Sequence, residues 1–183
     1  GKVFGNMNAA EYHCYKDQLM PVVKEAFAAL AAEHDLIVIE GAGSPAEINL
    51  REKDLVNMGL ATSLAAPVLL VGDIDRGGVF ASLYGTIALL TEEEQKLVKG
   101  VVINKFRGDL QILEPGLAQL ASLIRRPILG VIPHLDLKLD DEDSVTERFK
   151  RSEKDKALLA QVIQLPRIAN FTDFSPLELE KDL

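Results

Sequence analysis

Four short runs of apolar residues, each ending in a charged residue or proline, are the feature that most constrains the fold of this chain. The runs lie at 36–40, 67–73, 100–105 and 127–133. A strand that is apolar at every position is typical of a sheet buried on both faces, and the segments between the runs can supply the crossovers that parallel strands require. The sequence therefore predicts an α/β fold in which helices flank a four-stranded parallel sheet and cover both of its faces.

Helical spacing and capping residues predict what lies between the strands. Asn8 with Glu11, and Thr91 with Glu94, have the residue types and the spacing of a capping box. Apolar residues at helical intervals mark predicted helices at about 9–33, 54–65 and 110–124, and a loop that leads into a helix at about 76–90. These helices alternate with the strands, as a parallel sheet requires.

Composition and charge argue against several classes of function. The chain has 183 residues, of which 48% are hydrophobic, and its formal net charge is −8. This charge disfavours binding to nucleic acid or to an anionic membrane surface. No apolar run approaches the roughly 20 residues of a membrane-spanning helix, and the single Cys14 excludes an internal disulfide. We therefore expect a cytoplasmic protein without nucleic-acid or membrane partners.

The character of the sequence changes after Pro133. Residues 140–159 are highly charged and predict a loop and a solvated linker, whereas an apolar, strand-like run starts at Ala160. We interpret 1–139 as the main α/β domain, 140–159 as charged loop and linker, and 160–183 as the incomplete start of a second domain. The chain also begins without a methionine, so we expect it to be a segment of a longer protein.

Polar side chains occupy the carboxyl ends of all four predicted strands. Right-handed crossovers bring these ends to one edge of the sheet, which is where open α/β sheets bind their ligands. The residues are Glu40, Asp73, Asp75, Arg76, Asn104, Lys105, Pro133 and His134. Any one of them can be explained as a chain turning polar at a strand end, but together they favour a single binding site.

These residues have chemical roles if the ligand is a nucleotide. Asp73, Asp75 and Arg76 could orient an acidic or amide-bearing substrate, or position the metal. Glu40 can hold Mg²⁺ directly or through water, because this cation prefers oxygen ligands. The amide of Asn104 can donate and accept, as the edge of adenine requires. Gly77 and Gly78 would expose backbone N–H groups to an anion at a helix start. The sequence contains no G-x-x-x-x-G-K-[ST] motif, so the usual phosphate-binding loop is absent from it.

A set of motifs in a fixed order resembles one family. The motifs are "VFGNMNAAEYH", "IVIEGAGSPAEINL", "DLVNMGLA", "PVLLVGDIDRGGVFASLYGT", "GVVINKFRGD", "LGVIPHL" and "DDEDSV". Together they resemble the cobyric acid synthase family, which comprises glutamine-dependent amidoligases of cobalamin biosynthesis. The resemblance covers about residues 2–183. Broader relatives of that family, such as dethiobiotin synthetase and the partition ATPases, are P-loop NTPases.

The resemblance implies a fold, a reaction and partners. It implies that 1–139 is the C-terminal part of an ATP-binding synthetase domain of the dethiobiotin synthetase-like P-loop type, and that 160–183 starts a class I-like glutamine amidotransferase domain. The implied reaction uses ATP, Mg²⁺ and glutamine to amidate the b, d, e and g carboxylates of adenosylcobyrinic acid a,c-diamide. Since the P-loop and the amidotransferase nucleophile have no counterpart here, we expect this chain alone to be inactive, to bind no cofactor tightly, and to be able to self-associate.

The resemblance also implies residue roles. It implies that Glu40 helps to hold Mg²⁺ and that Asn104 contacts adenine. It also implies that residues 132–134 lie beside the adenine base. The implied nucleotide-binding residues are Asn104, Lys105, Pro133 and His134. The implied substrate-binding residues are Ser44, Glu47, Asn49, Asp73, Asp75 and Arg76, for which loop-shaping hydrogen bonds and an internal Asp–Arg pair are the alternatives. For Asp140 to Asp143 we expect a solvated acidic loop. A regulatory partition-type ATPase is the alternative function.

Overall fold

A parallel sheet of three strands organises the part of the chain that the structure describes. The computed structural model describes residues 5–135, with only the backbone described for Ala9, Ala10, His13, Cys14 and Asp17. The elements are α1 (Ala9–Glu33), a 3₁₀ turn (Arg51–Lys53), α2 (Met58–Leu64), β1 (Val68–Asp73), α3 (Val79–Leu89), α4 (Glu92–Leu97), β2 (Val98–Phe106), α5 (Leu110–Ile124) and β3 (Ile128–Pro133). The predicted linker, the acidic loop at 140–143 and the strand-like run after Ala160 lie outside the described residues.

Strand β2 lies at the centre of the sheet and pairs in parallel with both of its neighbours. At the carboxyl ends, Asp73 of β1 is paired with Asn104 of β2, and Phe106 of β2 is paired with Pro133 of β3. The three carboxyl ends therefore meet at one edge of the sheet. The α/β fold with a parallel sheet and flanking helices is thus confirmed.

The core lies between one face of the sheet and helices α3 and α5. Val101 and Ile103 of β2 are both 0% exposed, and Leu83 of α3 and Leu120 of α5 are 2% exposed. Burial of a branched aliphatic side chain of this size contributes about 1.5–3 kcal/mol relative to leaving it in water. Gly72 of β1 allows the close approach of α3, because an added Cβ there would lie 2.8 Å from Val79 and 2.9 Å from Leu83.

The described residues leave the opposite face of the sheet open, which differs from the expected burial on both faces. Leu69 and Val71 of β1 are each 56% exposed, and Leu129 of β3 is 54% exposed. Helix α1 contacts the 3₁₀ turn instead, and the hydroxyl of Ser63 in α2 donates to the sulfur of Met20 at 3.8 Å. Continuous apolar composition predicted two covered faces, and the helices of residues 5–135 cover one of them.

The predicted strand at 36–40 is wrong. Residues 36–40 have no strand pairing, and Leu36 and Val38 are 81% and 86% exposed. A strand needs a neighbour that completes its backbone hydrogen bonds, and the described residues provide none for this segment. Strand β1 is one of the two edge strands of the sheet and pairs only with β2 among the described residues. An apolar run in the sequence indicates burial but does not identify a partner, which is why the prediction failed.

Both capping boxes are confirmed, and a helix is present in each predicted region, although α2 begins later than predicted. Helix α1 begins after Asn8, whose side chain accepts from the backbone N–H of Glu11 at 3.0 Å, while the Glu11 carboxylate accepts from that of Asn8 at 2.8 Å. Thr91 and Glu94 form the same reciprocal pair at the start of α4. None of the helices within residues 5–135 is long and apolar enough to cross a membrane.

Helix α2 begins later than predicted because of Asp54. Its carboxylate accepts hydrogen bonds from the backbone N–H groups of Val56 at 3.0 Å, Asn57 at 2.9 Å and Gly59 at 2.9 Å. These bonds hold the chain in a turn before Met58, the first helical residue. Burial opposes ionisation of Asp54, but the three N–H donors outweigh it, so the pKa of Asp54 is lowered from its ordinary value of 3.8.

The close packing at Gly72 predicts the effect of adding one methyl group. Gly72→Ala should lower the free energy of unfolding by about 1–3 kcal/mol, because buried Val79 and Leu83 have little room to move away. The matched control is Gly85→Ala in α3, where an added Cβ meets no atom within 4 Å. That change should raise stability by roughly 0.5–1 kcal/mol. Urea unfolding measures both, and equal effects would contradict the packing described for Gly72.

The lowered pKa of Asp54 predicts a specific pH dependence of stability. The unfolded state binds more protons than the folded state as the pH falls, so Asp54 stabilises the fold above its unfolded pKa of 3.8, and this contribution is lost as the pH falls from there through the lower folded pKa. Asp54→Asn should cost about 1–3 kcal/mol at neutral pH, because an amide NH₂ replaces an acceptor of backbone N–H groups. Its unfolding free energy should also fall less over that pH range. If the unfolding free energies of Asp54→Asn and of the unaltered protein changed equally with pH, the proposed stabilisation by ionised Asp54 would be excluded.

Candidate functional site

Two ion pairs lie at the carboxyl ends of β1 and β2. The Nζ of Lys105 lies 2.8 Å from Oδ2 of Asp73, and Nε of Arg107 lies 3.2 Å from Oδ1 of Asp75. Nε of Arg76 lies 4.0 Å from Asp73, with the Arg76 side chain 88% exposed. The structure therefore brings together four residues that were predicted from the sequence and adds Arg107, which was not predicted.

The signal for Arg107 was present in the segment "NKFRGD". Arg107 lies two positions after Lys105 and just beyond the end of β2, so the sequence places a second cation close to the same edge of the sheet. Which acidic residue each cation meets depends on the pairing of β1 with β2, and that pairing is not visible in a single sequence.

Asp73 is the acidic centre of this group. The hydrogen bond from the Lys105 ammonium is the largest influence on its pKa and lowers it from the ordinary value of 3.8. The backbone N–H of Asp75, which donates to Oδ1 of Asp73 at 2.9 Å, and the charge of Arg76 act in the same direction, against partial desolvation. The Asp73 carboxylate is consequently ionised at neutral pH and only accepts hydrogen bonds.

Lys105 has a backbone conformation that is unusual for a residue with a side chain. Its φ is +60°, in the left-handed region. Such a conformation costs roughly 1–2 kcal/mol for a residue other than glycine. The pairing of β2 with β3 shifts register between Ile103 and Phe106, and the backbone N–H of Lys105 donates to Oδ1 of Asn104 at 2.9 Å. The irregular end of β2 thus turns Lys105 towards Asp73.

Asn104 and the end of β3 lie next to this group. Asn104 is half-buried, and its backbone carbonyl accepts from Ile74 at 3.1 Å. Since its side-chain oxygen accepts from Lys105, its NH₂ group is the part that can donate to a ligand. The backbone N–H of His134 donates to the carbonyl of Phe106 at 2.8 Å. The predicted nucleotide-binding residues, including Pro133, therefore lie at the ends of the two adjacent strands β2 and β3.

The predicted substrate-binding residues Ser44, Glu47 and Asn49 lie in a separate loop. Ser44 is half-buried and its hydroxyl oxygen accepts from the N–H of Ala46 at 3.2 Å, whereas Glu47 and Asn49 are exposed. Among residues 5–135, no hydrogen bond or ion pair joins this loop to the ion pairs at the sheet edge. The residues predicted to form one site thus fall into two groups, one at the sheet edge and one in the loop that follows Glu40.

Glu40 lies between α1 and that loop and is exposed. Its carboxylate has no hydrogen-bond or ion-pair partner within the described part of the chain. Mg²⁺ sites in proteins commonly use one or two carboxylates and several waters, so a single accessible carboxylate fits this cation. No group of three or more His, Cys, Asp or Glu side chains that could hold a metal ion occurs among the described residues.

The two glycines before α3 fit an anion less well than the sequence suggested. The N–H of Gly77 donates to the carbonyl of Ile74 at 3.0 Å, so a turn already uses it. Gly78 precedes α3 with a φ of +69°. The described residues thus offer a side-chain donor for a base and a carboxylate for a cation, but no ring of backbone N–H groups for phosphates.

A parallel α/β sheet with polar groups gathered at its carboxyl edge defines the class of protein as an open α/β domain of the kind that binds ligands at that edge. The sequence profile described as "AAA domain" matches residues 7–142, which is more than half of the chain. The chain therefore belongs to the AAA domain family.

The chain is also similar to proteins named cobyric acid synthase. It is 57% identical over 177 residues to the protein of Thermoanaerobacter sp. (strain X514), covering 97% of this chain and 35% of that protein. It is 58% identical over 178 residues to the protein of Ruminiclostridium cellulolyticum, covering 97% of this chain and 35% of that protein. It is 56% identical over 185 residues to the protein of Photorhabdus laumondii, covering 100% of this chain and 36% of that protein. The resemblance to this family is confirmed, and the chain spans about 35% of the length of these curated relatives. No solved structure matches the chain at a significant level.

The conformation of Lys105 predicts that its backbone lowers the stability of the fold, whereas its side chain raises it through the ion pair with Asp73. Lys105→Ala and Lys105→Gly both remove the ammonium that faces Asp73, but only glycine adopts a φ of +60° without steric cost. Lys105→Gly should therefore be about 1 kcal/mol more stable than Lys105→Ala in urea unfolding. Equal stability of the two variants would show that the backbone at this position is unstrained.

Proposed function

We propose that this chain forms part of the ATP-dependent amidation site of a cobyric acid synthase. The observation that carries the proposal is the match of almost the entire chain to proteins of that name at 52–58% identity. In the proposed reaction, ATP and Mg²⁺ activate the b, d, e and g carboxylates of adenosylcobyrinic acid a,c-diamide, and glutamine supplies the nitrogen. The corresponding location is the cytoplasm.

The nucleotide side of the proposed site is the end of β2 and β3. The NH₂ group of Asn104 would donate to a ring nitrogen of adenine, and the chain at Pro133 and His134 would pass beside the base. Glu40 would hold Mg²⁺, with water completing the coordination. ATP supplies the phosphoryl group that makes a carboxylate oxygen a leaving group, and the protein residues bind and orient the reactants.

The substrate side of the proposed site requires cations, because the groups to be amidated are carboxylates. Arg76 and Arg107 are available for this role at the edge of the sheet, and Lys105, which the resemblance implies as a nucleotide-binding residue, lies beside them. The implied substrate-binding residues Asp73 and Asp75 are the partners of these cations. They keep the cations in place, and exposed ion pairs of this kind are worth only about 0–1 kcal/mol. A substrate carboxylate can therefore replace an aspartate as partner of a cation at little cost, and bidentate binding by an arginine favours this exchange.

The loop residues Ser44, Glu47 and Asn49 would contact the polar periphery of the same substrate. Glu47 and Asn49 are exposed, and the Ser44 hydroxyl can still donate while its oxygen accepts from Ala46. Glutamine would be used outside residues 1–139. We also propose that the chain alone lacks synthase activity, because its sequence holds no G-x-x-x-x-G-K-[ST] loop to position and neutralise the transferred phosphoryl group.

The regulatory alternative, a partition-type ATPase, shares with this chain only the sheet architecture. The open sheet face and the free edge of β1 would allow association between copies, as would be needed for a homo-oligomer. No described contact favours regulation over synthesis, so the synthase function is the one retained.

The test is an amidation assay on the complete gene product that carries this sequence, with adenosylcobyrinic acid a,c-diamide, ATP, Mg²⁺ and glutamine. We expect successive addition of four amides, seen as mass changes of the corrinoid. Glu40→Gln should raise the Mg²⁺ concentration for half-maximal rate roughly tenfold, because a neutral amide binds this cation less well than a carboxylate. Glu52→Gln, which changes an exposed glutamate of the 3₁₀ turn, is the matched control and should leave that concentration unchanged.

Two outcomes are distinguished by this assay. Absence of any amidation by the unaltered protein would overturn the proposed function. Amidation with the same Mg²⁺ dependence in Glu40→Gln and in the unaltered protein would overturn only the metal-binding role of Glu40.

A further inference from the structure

Asn57 occupies the capping position of α2 but does not cap the helix. An asparagine at this position usually accepts a hydrogen bond from the first turn through its side chain. In this chain the Asn57 side chain makes no such bond. The carboxylate of Asp54 accepts from the N–H of Gly59 in the first turn instead, at 2.9 Å. The amide of Asn57 is therefore released for another contact.

That contact is with the loop that follows Glu40. The Oδ1 of Asn57 accepts from the backbone N–H of Ala42 at 3.1 Å, and its Nδ2 donates to the carbonyl of Ala42 at 2.7 Å. Nδ2 also lies 3.5 Å from the carbonyl of Ser44. One side chain thus uses both its donor and its acceptor on the backbone of one loop residue, which fixes the loop in direction as well as in distance.

Two glycines are needed for this arrangement. A Cβ on Gly41 would lie 2.2 Å from Oδ1 of Asn57, and a Cβ on Gly59 would lie 2.0 Å from the backbone oxygen of Asp54. Either would push the amide away from the loop or the turn away from the helix. In the segment "DLVNMG", Asp54 and Gly59 thus shape the turn before α2, and Asn57 makes the contact with the loop.

The contact also links the loop to the core. Met58, the residue after Asn57, is 3% exposed and belongs to the same buried cluster as Val101 and Ile103 of β2. Ala42 lies two residues after Glu40 and two before Ser44. A connection from the core through Asn57 to Ala42 therefore limits where both of these proposed site residues can lie.

We propose that Asn57 is a positioning residue that holds the loop at 41–44, and with it Ser44, in the conformation that binds the substrate carrying the carboxylates to be amidated. The proposal rests on the proposed function for the identity of that substrate. It assigns to Asn57 an effect on substrate binding that acts through Ala42 and involves no contact of Asn57 with the reacting atoms.

The first experiment compares Asn57→Ala with Thr91→Ala in the amidation assay on the complete gene product. Both changes remove a polar side chain at the start of a helix, but Thr91 caps α4 and makes no hydrogen bond to the loop. Asn57→Ala should raise KM for the corrinoid about tenfold, the size expected for the loss of roughly 1.4 kcal/mol of hydrogen bonding, and should leave KM for glutamine unchanged. Thr91→Ala should change neither KM. Equal KM values for the corrinoid in the two variants would overturn the proposal.

Asn57→Asp supplies a rescue that a purely structural role would not produce. A protonated carboxyl group can accept from the Ala42 N–H and donate to its carbonyl, as the amide does. An ionised carboxylate has no proton to donate, so its second oxygen and the Ala42 carbonyl oxygen would repel each other. The carbonyl also disfavours the ionised form of the introduced group. The corrinoid KM of this variant should fall towards the unaltered value as the pH is lowered, and that of Asn57→Ala should not. Matching pH profiles would contradict the proposal.

Hydrogen exchange separates this proposal from the proposed function. Asn57→Ala should make exchange of the Ala42 N–H about tenfold faster, while Thr91→Ala should leave it unchanged. An unaltered protein that does not amidate the corrinoid would overturn the proposed function, and the exchange rate of Ala42 would still decide whether Asn57 holds the loop. Unchanged exchange in Asn57→Ala would overturn the positioning role.

Discussion

The parallel pairing of β1 with β2 is the constraint on which the rest of the structure depends. Its register places Asp73 beside Asn104, and therefore sets which cation at the end of β2 meets which carboxylate at the end of β1. The same pairing brings Val101 and Ile103 onto the face that α3 and α5 cover. A shift by one residue would turn these buried side chains to the open face and would separate Lys105 from Asp73. The core and the charged sheet edge are thus determined by one set of backbone hydrogen bonds.

Features encoded within a few residues could be predicted from the sequence. The capping boxes at Asn8 and Thr91 need only residues three positions apart, and the parallel strands after Pro67 and Pro127 needed only continuous apolar runs bounded by helices. The strand at 36–40 failed because pairing depends on a partner elsewhere. The start of α2 failed because Asp54 takes three backbone N–H groups into a turn, which outweighs the helical spacing of the residues around it.

The candidate site shows the same division. Strand ends identified Asp73, Asp75, Asn104 and Lys105, since any parallel sheet brings its carboxyl ends together. The roles of Arg107 and Asn57 depend on contacts with residues 32 and 15 positions away in the sequence, so local patterns gave no more than their residue types. The sequence also could not show that the sheet-edge residues and the loop of Ser44 form two separate groups. It gives the order of residues along the chain but not the hydrogen bonds that join them.

The two groups of proposed site residues reach the same core by different routes. Strand β2 carries the sheet edge directly from Ile103 through Asn104 to Lys105, and the strained backbone at Lys105 is held by hydrogen bonds at both its N–H and its ammonium. The loop is held through Asn57 and Met58. None of the proposed site residues belongs to the buried cluster of the core, so the packing of the core does not depend on their identity. These residues can therefore change with the ligand while the sheet stays the same, which is the property expected of a site placed on a fold that serves several different reactions.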